Sequence, residues 1–462
     1  MEMQFYGAAG GVTGSCHYLR VGDKQLLIDC GLFQGGHDLE EENHGEFGFD
    51  AKEIDYLLLT HAHLDHCGRI PLLVKRGFRG EIITTSATRE LARLVMVDSA
   101  GLAEEEARRA SRRHQRHGET ESAPLYDIAD VLNTMERFGR TAEYGQKLEV
   151  CSGVSATFGD AGHILGSAWI LIEASEAGKQ QRIVYSGDLG NRGKPIINPS
   201  TPAPEADAIV METTYGDRLH KAIGPSVEEL RDAILDTLKQ GGNVIIPTFA
   251  LERAQDLLYY LREMMSDNQI PATLPVFLDS PMAISATEIF RRHPECFNPD
   301  TRENLLQGMD PFALRNLLFT RETSESMGIN LIKGGALIMA GSGMATGGRV
   351  VHHLRHNIWR EESSVIFVGY AAQGTLARRI IDGAKTVRIF GEEIRVAARI
   401  YTIGGFSAHA DHDELLAWFG NQKPARTVLV HGEDNGREGI AKVLRARGLQ
   451  VDCPVIGDHY TL

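Results

Sequence analysis

The sequence predicts an α/β protein in which a doubly wound α/β domain is inserted into an α/β sandwich. The first third of the 462 residues opens with short β-like runs separated by glycine and aspartate, a pattern typical of an antiparallel sheet. From about residue 210, strands alternate with helical patterns, which indicates a parallel sheet. From about residue 398 the first pattern returns. We therefore expect a discontinuous outer domain at 1–208 and 391–462, with the insert at 209–390.

The expected elements follow from hydrophobic runs and their period. In the outer domain the predicted strands are 4–7, 17–21, 25–28, 56–60, 154–158, 168–172, 183–186, 400–403 and 427–431, with helices within 85–138 and at 411–420. In the insert the predicted strands are 243–247, 276–278, 336–340 and 365–368, with helices at 250–265 and from residues 282, 348 and 375.

Composition restricts the class of protein. Hydrophobic residues make up 42% and charged residues 24% of the chain, which is ordinary for a globular protein. The net charge of −14 argues against a generally basic nucleic-acid coat protein, although a basic groove could be local. No apolar stretch approaches the roughly 18 residues of a membrane span, and no signal peptide is visible. The six cysteines form no CxxC pair, so we expect reduced thiols and a cytoplasmic location.

A charged helical block at 104–118 carries several arginines at helical spacing. A solvated helix face is the expected role of such a block, and a basic lip that contacts phosphates is the alternative.

A compact histidine cluster gives the first chemical signal. His61, His63, Asp65 and His66 lie within six residues, just after a strand that is predicted to be buried. Imidazole nitrogens suit zinc, and carboxylates can bind or bridge it. Without a metal, four such residues packed together would leave several buried polar groups unpaired. The cluster therefore predicts a metal site.

Further candidate ligands follow along the chain. His163 lies in a glycine-flanked loop, DAGHILGSA, and Asp188 ends an apolar strand in VYSGDLG. Later runs carry Glu212 in METTYG, His409 in FSAHAD and His431 in VLVHGE. Each is weak alone, because a loop histidine or a strand-end aspartate is usually a surface or turn residue. Their order after the HxHxDH cluster makes them candidates for one site.

This pattern resembles a known family. The strand followed by HxHxDH is similar to the signature of the metallo-β-lactamase superfamily, and the later runs resemble the extra motifs of its β-CASP branch. The resemblance implies an αββα sandwich with an inserted β-CASP domain, and action on nucleic acid. RNA-processing members of the branch carry a histidine at the last motif, where DNA-repair members typically carry valine. This sequence has His431 there.

The resemblance also implies two Zn²⁺ per chain and a role for each residue. Zinc 1 would be held by His61, His63, His163 and Asp188, and zinc 2 by Asp65, His66, Asp188 and His431. Asp188 would bridge the two ions, and Asp29 in LLIDCG would support the ligand histidines from behind. Asp65, His409 and Glu212 are the expected catalytic residues. His409 could protonate the leaving 3′-oxygen with Glu212 orienting its ring, and the alternative is a buried polar pair that joins the two domains.

Two glycine-containing loops in the insert are candidates for phosphate binding. GSGMATGGRVVHHL and GYAAQGTLARR each follow a strand and open a helix, where free backbone N–H groups could hold a phosphate. The alternative for the first is a tight turn without ligand. Together they suggest a path for single-stranded RNA between the domains. Phe33 could stack on a base, but packing in the core is expected. The expected substrate-binding residues are Ser342, Gly343, Thr346, Gly347, Arg349, Thr375 and Arg378.

The leading hypothesis is a zinc-dependent ribonuclease that hydrolyses phosphodiester bonds of single-stranded RNA, as an endonuclease, a 5′→3′ exonuclease or both, in RNA processing or decay. The alternatives are a DNA nuclease with the same centre, a non-catalytic RNA-binding scaffold and a small-molecule hydrolase. The scaffold is disfavoured because every expected ligand is present. The small-molecule hydrolase would leave the large insert without a purpose. The sequence does not decide the mode of cleavage or whether the protein forms a homodimer.

Overall fold

The computed structural model describes residues 1–117, 123–176, 178–369 and 371–462. These form two compact units. Unit 1 comprises Met1–Arg192, Pro199–Leu219 and His409–Leu462, and unit 2 comprises Gly193–Asn198 and His220–Ala408. The α/β fold class is as predicted. The main divisions lie at 219/220 and 408/409, and Gly193–Asn198 joins unit 2, whereas the boundaries expected from the sequence are 208/209 and 390/391.

The first sheet of unit 1 has seven strands in the order β22-β1-β2-β3-β4-β5-β6. Their bounds are β1 Glu2–Gly7, β2 Cys16–Val21, β3 Lys24–Ile28, β4 Tyr56–Leu58, β5 Glu81–Thr85, β6 Phe138–Ala142 and β22 His459–Thr461. The strands from β22 to β3 pair antiparallel, which was predicted for β1 to β3, whereas β22 was not expected. From β3 to β6 the pairing is parallel, so the expectation of an antiparallel sheet is wrong there. Long connections between these strands allow the parallel arrangement.

The second sheet of unit 1 also has seven strands, in the order β21-β20-β11-β10-β9-β8-β7. Their bounds are β7 Lys147–Cys151, β8 Val154–Asp160, β9 Ala168–Glu176, β10 Lys179–Tyr185, β11 Ala208–Glu212, β20 Arg426–Val430 and β21 Val451–Asp452. Strand β11 pairs with both β10 and β20, which explains why it belongs to unit 1. Apolar side chains from both sheets, including Phe5 and Phe158, form one buried cluster. The two sheets therefore make a sandwich.

Helices flank the sandwich. Those of unit 1 are α1 His37–Glu41, α2 Leu64–Cys67, α3 Ile70–Lys75, α4 Ser86–His117, α5 Ile128–Met135, α13 His412–Phe419 and α14 Asp434–Ala446. Leu415 of α13 and Ile440 of α14 share a buried cluster with Ile209 of β11, so both helices cover the second sheet. The charged block at 104–118 falls at the end of α4. Its side chains at 109, 110 and 112–117, and residue 118, lie outside the described residues.

Unit 2 is built on a six-stranded sheet in the order β14-β13-β15-β12-β16-β19, and every pair in it is parallel. The strands are β12 Val244–Pro247, β13 Val276–Asp279, β14 Leu317–Phe319, β15 Leu337–Ala340, β16 Ser364–Phe367 and β19 Arg399–Thr402, with a separate hairpin of β17 Thr386–Ile389 and β18 Glu392–Arg395. The helices are α6 Ile223–Lys239, α7 Arg253–Ser266, α8 Pro281–Arg292, α9 Pro299–Leu306, α10 Thr323–Ile329, α11 Arg349–Asn357 and α12 Leu376–Ile381. The alternation of strands and helices confirms the predicted parallel α/β insert.

Strand β19 extends unit 2 beyond the expected boundary. It pairs with β16 from Ser364↔Arg399 to Phe367↔Thr402, so the insert continues past residue 390. Across the described part of the chain, no helix combines the length and apolar character that a membrane crossing requires.

Candidate metal centre

The histidine cluster is held by the end of a buried strand. Strand β4 ends at Leu58, and the backbone N–H of Leu59 still donates to the carbonyl of Ile83 at 3.0 Å. The chain continues to His63, which has extended backbone angles and precedes helix α2. His61 and His63 therefore lie between the strand and the helix, while Asp65 and His66 lie in the short helix.

A first group of possible metal ligands comprises His61, His63, His163 and Asp188. Nδ1 of His63 lies 3.2 Å from Nε2 of His61 and 3.1 Å from Nε2 of His163. Oδ2 of Asp188 lies 3.6 and 3.7 Å from the same two Nε2 atoms. Zinc ligands at roughly 2.0–2.1 Å in a tetrahedron are about 3.3–3.4 Å apart. The four measured separations, 3.1–3.7 Å, are close to those between the ligands of one tetrahedral ion.

A second group comprises Asp65, His66 and His431. Nε2 of His431 lies 3.2 Å from Nε2 of His66 and 3.4 Å from Oδ2 of Asp65. The other carboxylate oxygen of Asp188, Oδ1, lies 3.3 Å from Nε2 of His66. The two groups thus meet at Asp188, one at each of its oxygens.

Asp188 has the features of a carboxylate that binds a cation. It is 1% exposed, and its Oδ1 accepts no hydrogen bond from the described residues. Burial raises the pKa of Asp188, but the neighbouring rings of His431 and His66 outweigh it and hold the pKa well below its usual value. A buried ionised carboxylate is costly unless positive charge satisfies it, and only the rings of His66 and His431 lie near Oδ1 among the described contacts, at 3.3 and 3.5 Å. The donor set therefore fits a metal.

The histidines of the first group are in the state that metal binding needs. Burial lowers the pKa of His61 and His163 well below the usual value, and lowers that of His63 to about 4. Neutral imidazole keeps a lone pair for the metal. The hydroxyl of Thr60 lies 3.1 Å from Nδ1 of His61 and leaves Nε2 facing the cluster.

Asp29 contacts a histidine of the second group. It follows β3 with a positive φ of 64°, and its carboxylate accepts from the Thr60 N–H and hydroxyl, each at 2.8 Å. Its Oδ2 lies 2.7 Å from Nδ1 of His66, which orients Nε2 towards His431 and Asp188. Such an outer contact fixes the ring and raises its strength as a ligand.

Thr214 was not anticipated from the sequence. Its hydroxyl lies 3.1 Å from Nδ1 of His431 and also donates to the His431 carbonyl at 3.1 Å. Thr214 is the second threonine of METTYG, and it has no sequence signal of its own because its partner is 217 residues away.

His409 and Glu212 lie beside the cluster. Nδ1 of His409 lies 3.4 Å from Oε1 of Glu212 and 3.9 Å from Oδ2 of Asp188. Glu212, at the end of β11, is fully buried and accepts from the backbone N–H groups of Leu189 and Thr214. Both His409 and Glu212 belong to unit 1, so their contact is internal to that unit and is not a link between two domains.

The two glycine-containing loops contact each other in unit 2. The backbone N–H of Ser342 donates to the Gly347 carbonyl at 3.3 Å, which closes the first loop. Met344, at its tip, accepts from the backbone N–H of Ala372 at its sulfur and from that of Ala377 at its carbonyl. The loops predicted to bind phosphate are therefore neighbours.

The expected substrate-binding side chains differ in their surroundings. Thr375 caps α12 by accepting from the Arg378 N–H, and the Arg378 guanidinium pairs with Asp382. Arg349 donates to Asp279 at 2.7 Å and to two backbone carbonyls. Its donors are thus engaged inside unit 2. Phe33, considered as a stacking residue, is 7% exposed and packs under Arg69, so the expectation of a core aromatic is confirmed.

Together, the sandwich, the insert and the two ligand groups define a metal-dependent hydrolase class. Family models match in chain order: the Metallo-beta-lactamase superfamily at 9–140, the Beta-Casp domain at 254–380 and the Zn-dependent metallo-hydrolase RNA specificity domain at 393–454. The chain is 41% identical over 459 residues to a protein named Ribonuclease TTHA0252 from Thermus thermophilus, covering 99% of each. The protein belongs to the β-CASP branch of the metallo-β-lactamase superfamily.

Two more distant proteins are also similar to this chain. The chain is 30% identical over 456 residues to a protein from Methanocaldococcus jannaschii named Transcription termination factor FttA, covering 96% of this chain and 69% of that one. A crystal structure of a protein of unknown function from Enterococcus faecalis V583 superimposes with a TM-score of 0.56 at 13% identity, over 100% of this chain and 99% of that chain. At that identity the likeness concerns the fold alone.

Proposed function

We propose that this protein is a zinc-dependent ribonuclease that hydrolyses phosphodiester bonds of single-stranded RNA, internally, from the 5′ end, or both. The observation that carries the proposal is the position of Asp188. One of its oxygens faces His61 and His163, and the other faces His66. A carboxylate shared in this way suits a pair of cations about 3.5–4 Å apart, an arrangement used for phosphodiester displacement.

The proposed ligands are those of the two groups. His61, His63, His163 and Asp188 would hold one zinc, and Asp65, His66, His431 and Asp188 the other. When bound, zinc supplies Lewis-acid stabilisation of the phosphate oxygens and lowers the pKa of the attacking water. Burial keeps His61 and His163 of the first group neutral, and Asp29 and Thr60 hold the rings of His66 and His61 in place.

His409 is proposed to supply the proton for the leaving 3′-oxygen. Its side chain is 21% exposed, so a substrate can reach the ring, while buried Glu212 lies against Nδ1. That contact favours a proton on Nδ1, where it faces Glu212. The other ring nitrogen, Nε2, would then be the one that meets the substrate. Glu212 would then be a positioning residue for His409.

Phosphate binding is proposed for the loops of unit 2. Gly343, Thr346 and Gly347 precede helix α11 and would offer backbone N–H groups to a phosphate. The N–H groups of Ser342, Thr375 and Arg378 donate within the protein, so these residues would contribute side chains. Since the guanidinium of Arg349 is held by Asp279, its proposed contribution is to fix the first loop.

RNA is favoured over DNA by the name of the 41% identical relative, by the RNA specificity domain at 393–454 and by a histidine at 431. The experiment is incubation of purified protein with end-labelled RNA and DNA oligonucleotides of matched sequence. We expect cleavage of RNA, and the product ladders from 5′ and 3′ labels separate internal from terminal cleavage. Cleavage of DNA alone, or of neither, overturns the proposal. The cytoplasmic location and the homodimer stay predictions, and gel filtration tests the latter.

A further inference from the structure

The carboxyl edge of the parallel sheet in unit 2 carries an exposed aromatic side chain. Strand β12 ends at Pro247, and the Thr248 N–H donates to the Ala340 carbonyl at 3.0 Å, which continues the pairing with β15 by one residue. Phe249 follows directly. Ligands of α/β proteins bind outside the carboxyl ends of the strands, so this residue lies at the edge where a ligand is expected.

Phe249 departs from the pattern of its strand. All four residues of β12 are buried, whereas Phe249 is 44% exposed. A single exposed apolar side chain is ordinary on a protein surface. Here, however, the ring lies against Gly343 of the first glycine-containing loop. A Cβ atom on Gly343 would lie 2.7 Å from Cε2 and 2.8 Å from Cδ2 of the phenyl ring, so any larger residue there would displace the ring.

The absence of a side chain at Gly343 therefore lets one edge of the ring lie on the loop backbone, while much of the remainder faces solvent. The loop itself is braced from the opposite loop through Met344, which accepts from Ala372 and Ala377. The result is a flat apolar surface on a fixed support, beside backbone groups that are candidates for a phosphate. A nucleotide offers the same two features side by side, an aromatic base and a phosphate.

We propose that Phe249 is a stacking platform for one base of the bound single-stranded RNA, next to a phosphate at the glycine-containing loop. The inference rests on the proposed ribonuclease function and adds a base-binding position to it. Every base has an aromatic face, so stacking alone confers little sequence preference. The phenyl ring would place one nucleotide of the substrate rather than select its identity.

The test combines a protein variant with a modified substrate. Removing a stacking aromatic weakens binding by about 5- to 150-fold per base. We expect Phe249→Ala to raise the KM for an RNA oligonucleotide by a factor in that range, and Phe249→Trp to retain most of the affinity. Phe390→Ala is the matched control, because Phe390 is also exposed, at 60%, but lies in the β17–β18 hairpin against His352.

A series of RNA oligonucleotides, each with one abasic position, tests stacking itself. At one position the abasic RNA should bind wild-type protein as weakly as intact RNA binds Phe249→Ala, and the two changes together should cost no more than either alone. Hydrolysis of a nitrophenyl phosphodiester, which has no base, should be unchanged in Phe249→Ala and serves as the check on folding.

Two results overturn the inference, and they differ. If wild-type protein neither binds nor cleaves RNA, the ribonuclease function and the platform fail together. If wild-type protein cleaves RNA but Phe249→Ala has an unchanged KM, the platform alone is wrong. The same holds if the affinity lost in Phe249→Ala adds to the affinity lost through every abasic substitution.

Discussion

Nδ1 of His409 lies 3.4 Å from Oε1 of Glu212, with the carboxylate fully buried and the imidazole 21% exposed. The buried partner is fixed by two backbone N–H donors, those of Leu189 and Thr214, so it can hold the ring without moving itself. The relationship is that of a proton-handling group and the residue that orients it.

His409→Ala should slow RNA cleavage by roughly 10²–10⁴-fold, because that is the usual contribution of a general acid. RNA binding and metal content should persist, since His409 belongs to neither ligand group. The defect should shrink on a nitrophenyl phosphodiester, whose leaving group needs no proton. Rates on both substrates, with elemental analysis, measure these effects.

His459→Ala is the control for this variant, because His459 is exposed on strand β22. An equal loss on both substrates, or loss of metal from His409→Ala, would show that His409 is a ligand or a structural contact. The proton would then have to come from solvent.

Asp188→Ala should lower the occupancy of both metal positions, because its two oxygens face different ligand groups. His431→Ala should lower only one, since His431 lies with Asp65 and His66. Elemental analysis after purification without chelator measures both, and Asp413→Ala, at an exposed aspartate of α13, is the control. A protein that loses only one metal equivalent in Asp188→Ala would argue against the bridge.

Asp29→Asn should weaken metal binding at the His66 group by about 10- to 100-fold, the usual effect of removing an outer-sphere partner of a ligand histidine. The physical reason is the 2.7 Å contact of Asp29 with Nδ1 of His66. Competition with a chelating dye measures the affinity of each site. Unchanged affinity at both sites would mean that neighbouring packing alone orients the ring.

RNA affinity should fall with added salt despite the net charge of −14, because phosphate contacts release counterions. Arg378→Glu should weaken binding and flatten this dependence, whereas Arg388→Glu, at an exposed position of β17, should have little effect. Fluorescence anisotropy at several salt concentrations provides the slopes. Parallel slopes for Arg378→Glu and wild type would exclude a phosphate contact at this residue.

The local part of the site could be predicted, and its outer contacts could not. His61, His63, Asp65 and His66 are close in sequence, so their grouping required only that the chain leave a buried strand there. Thr214 escaped prediction because its contact with His431 exists only after folding.

The fold, too, could be predicted only in part. Hydrophobic runs located most strands within a few residues, but they carry no information on partners. Strand β22, three residues long, was not expected, and it pairs with β1 from the opposite end of the chain. The neighbouring strands β3 and β4 were placed in an antiparallel sheet, since each is as short as the strands of a hairpin sheet, but they pair in parallel. Strands β5 and β6, which continue the parallel part, were not predicted.

The most direct test of the central claim is titration of zinc into metal-free protein while the rate of RNA cleavage is followed. Two ligand groups joined by Asp188 predict that cleavage is absent without metal and rises to a plateau at two equivalents of zinc per chain. Full cleavage by metal-free protein, a plateau at one equivalent, or no cleavage at any zinc concentration would contradict the account.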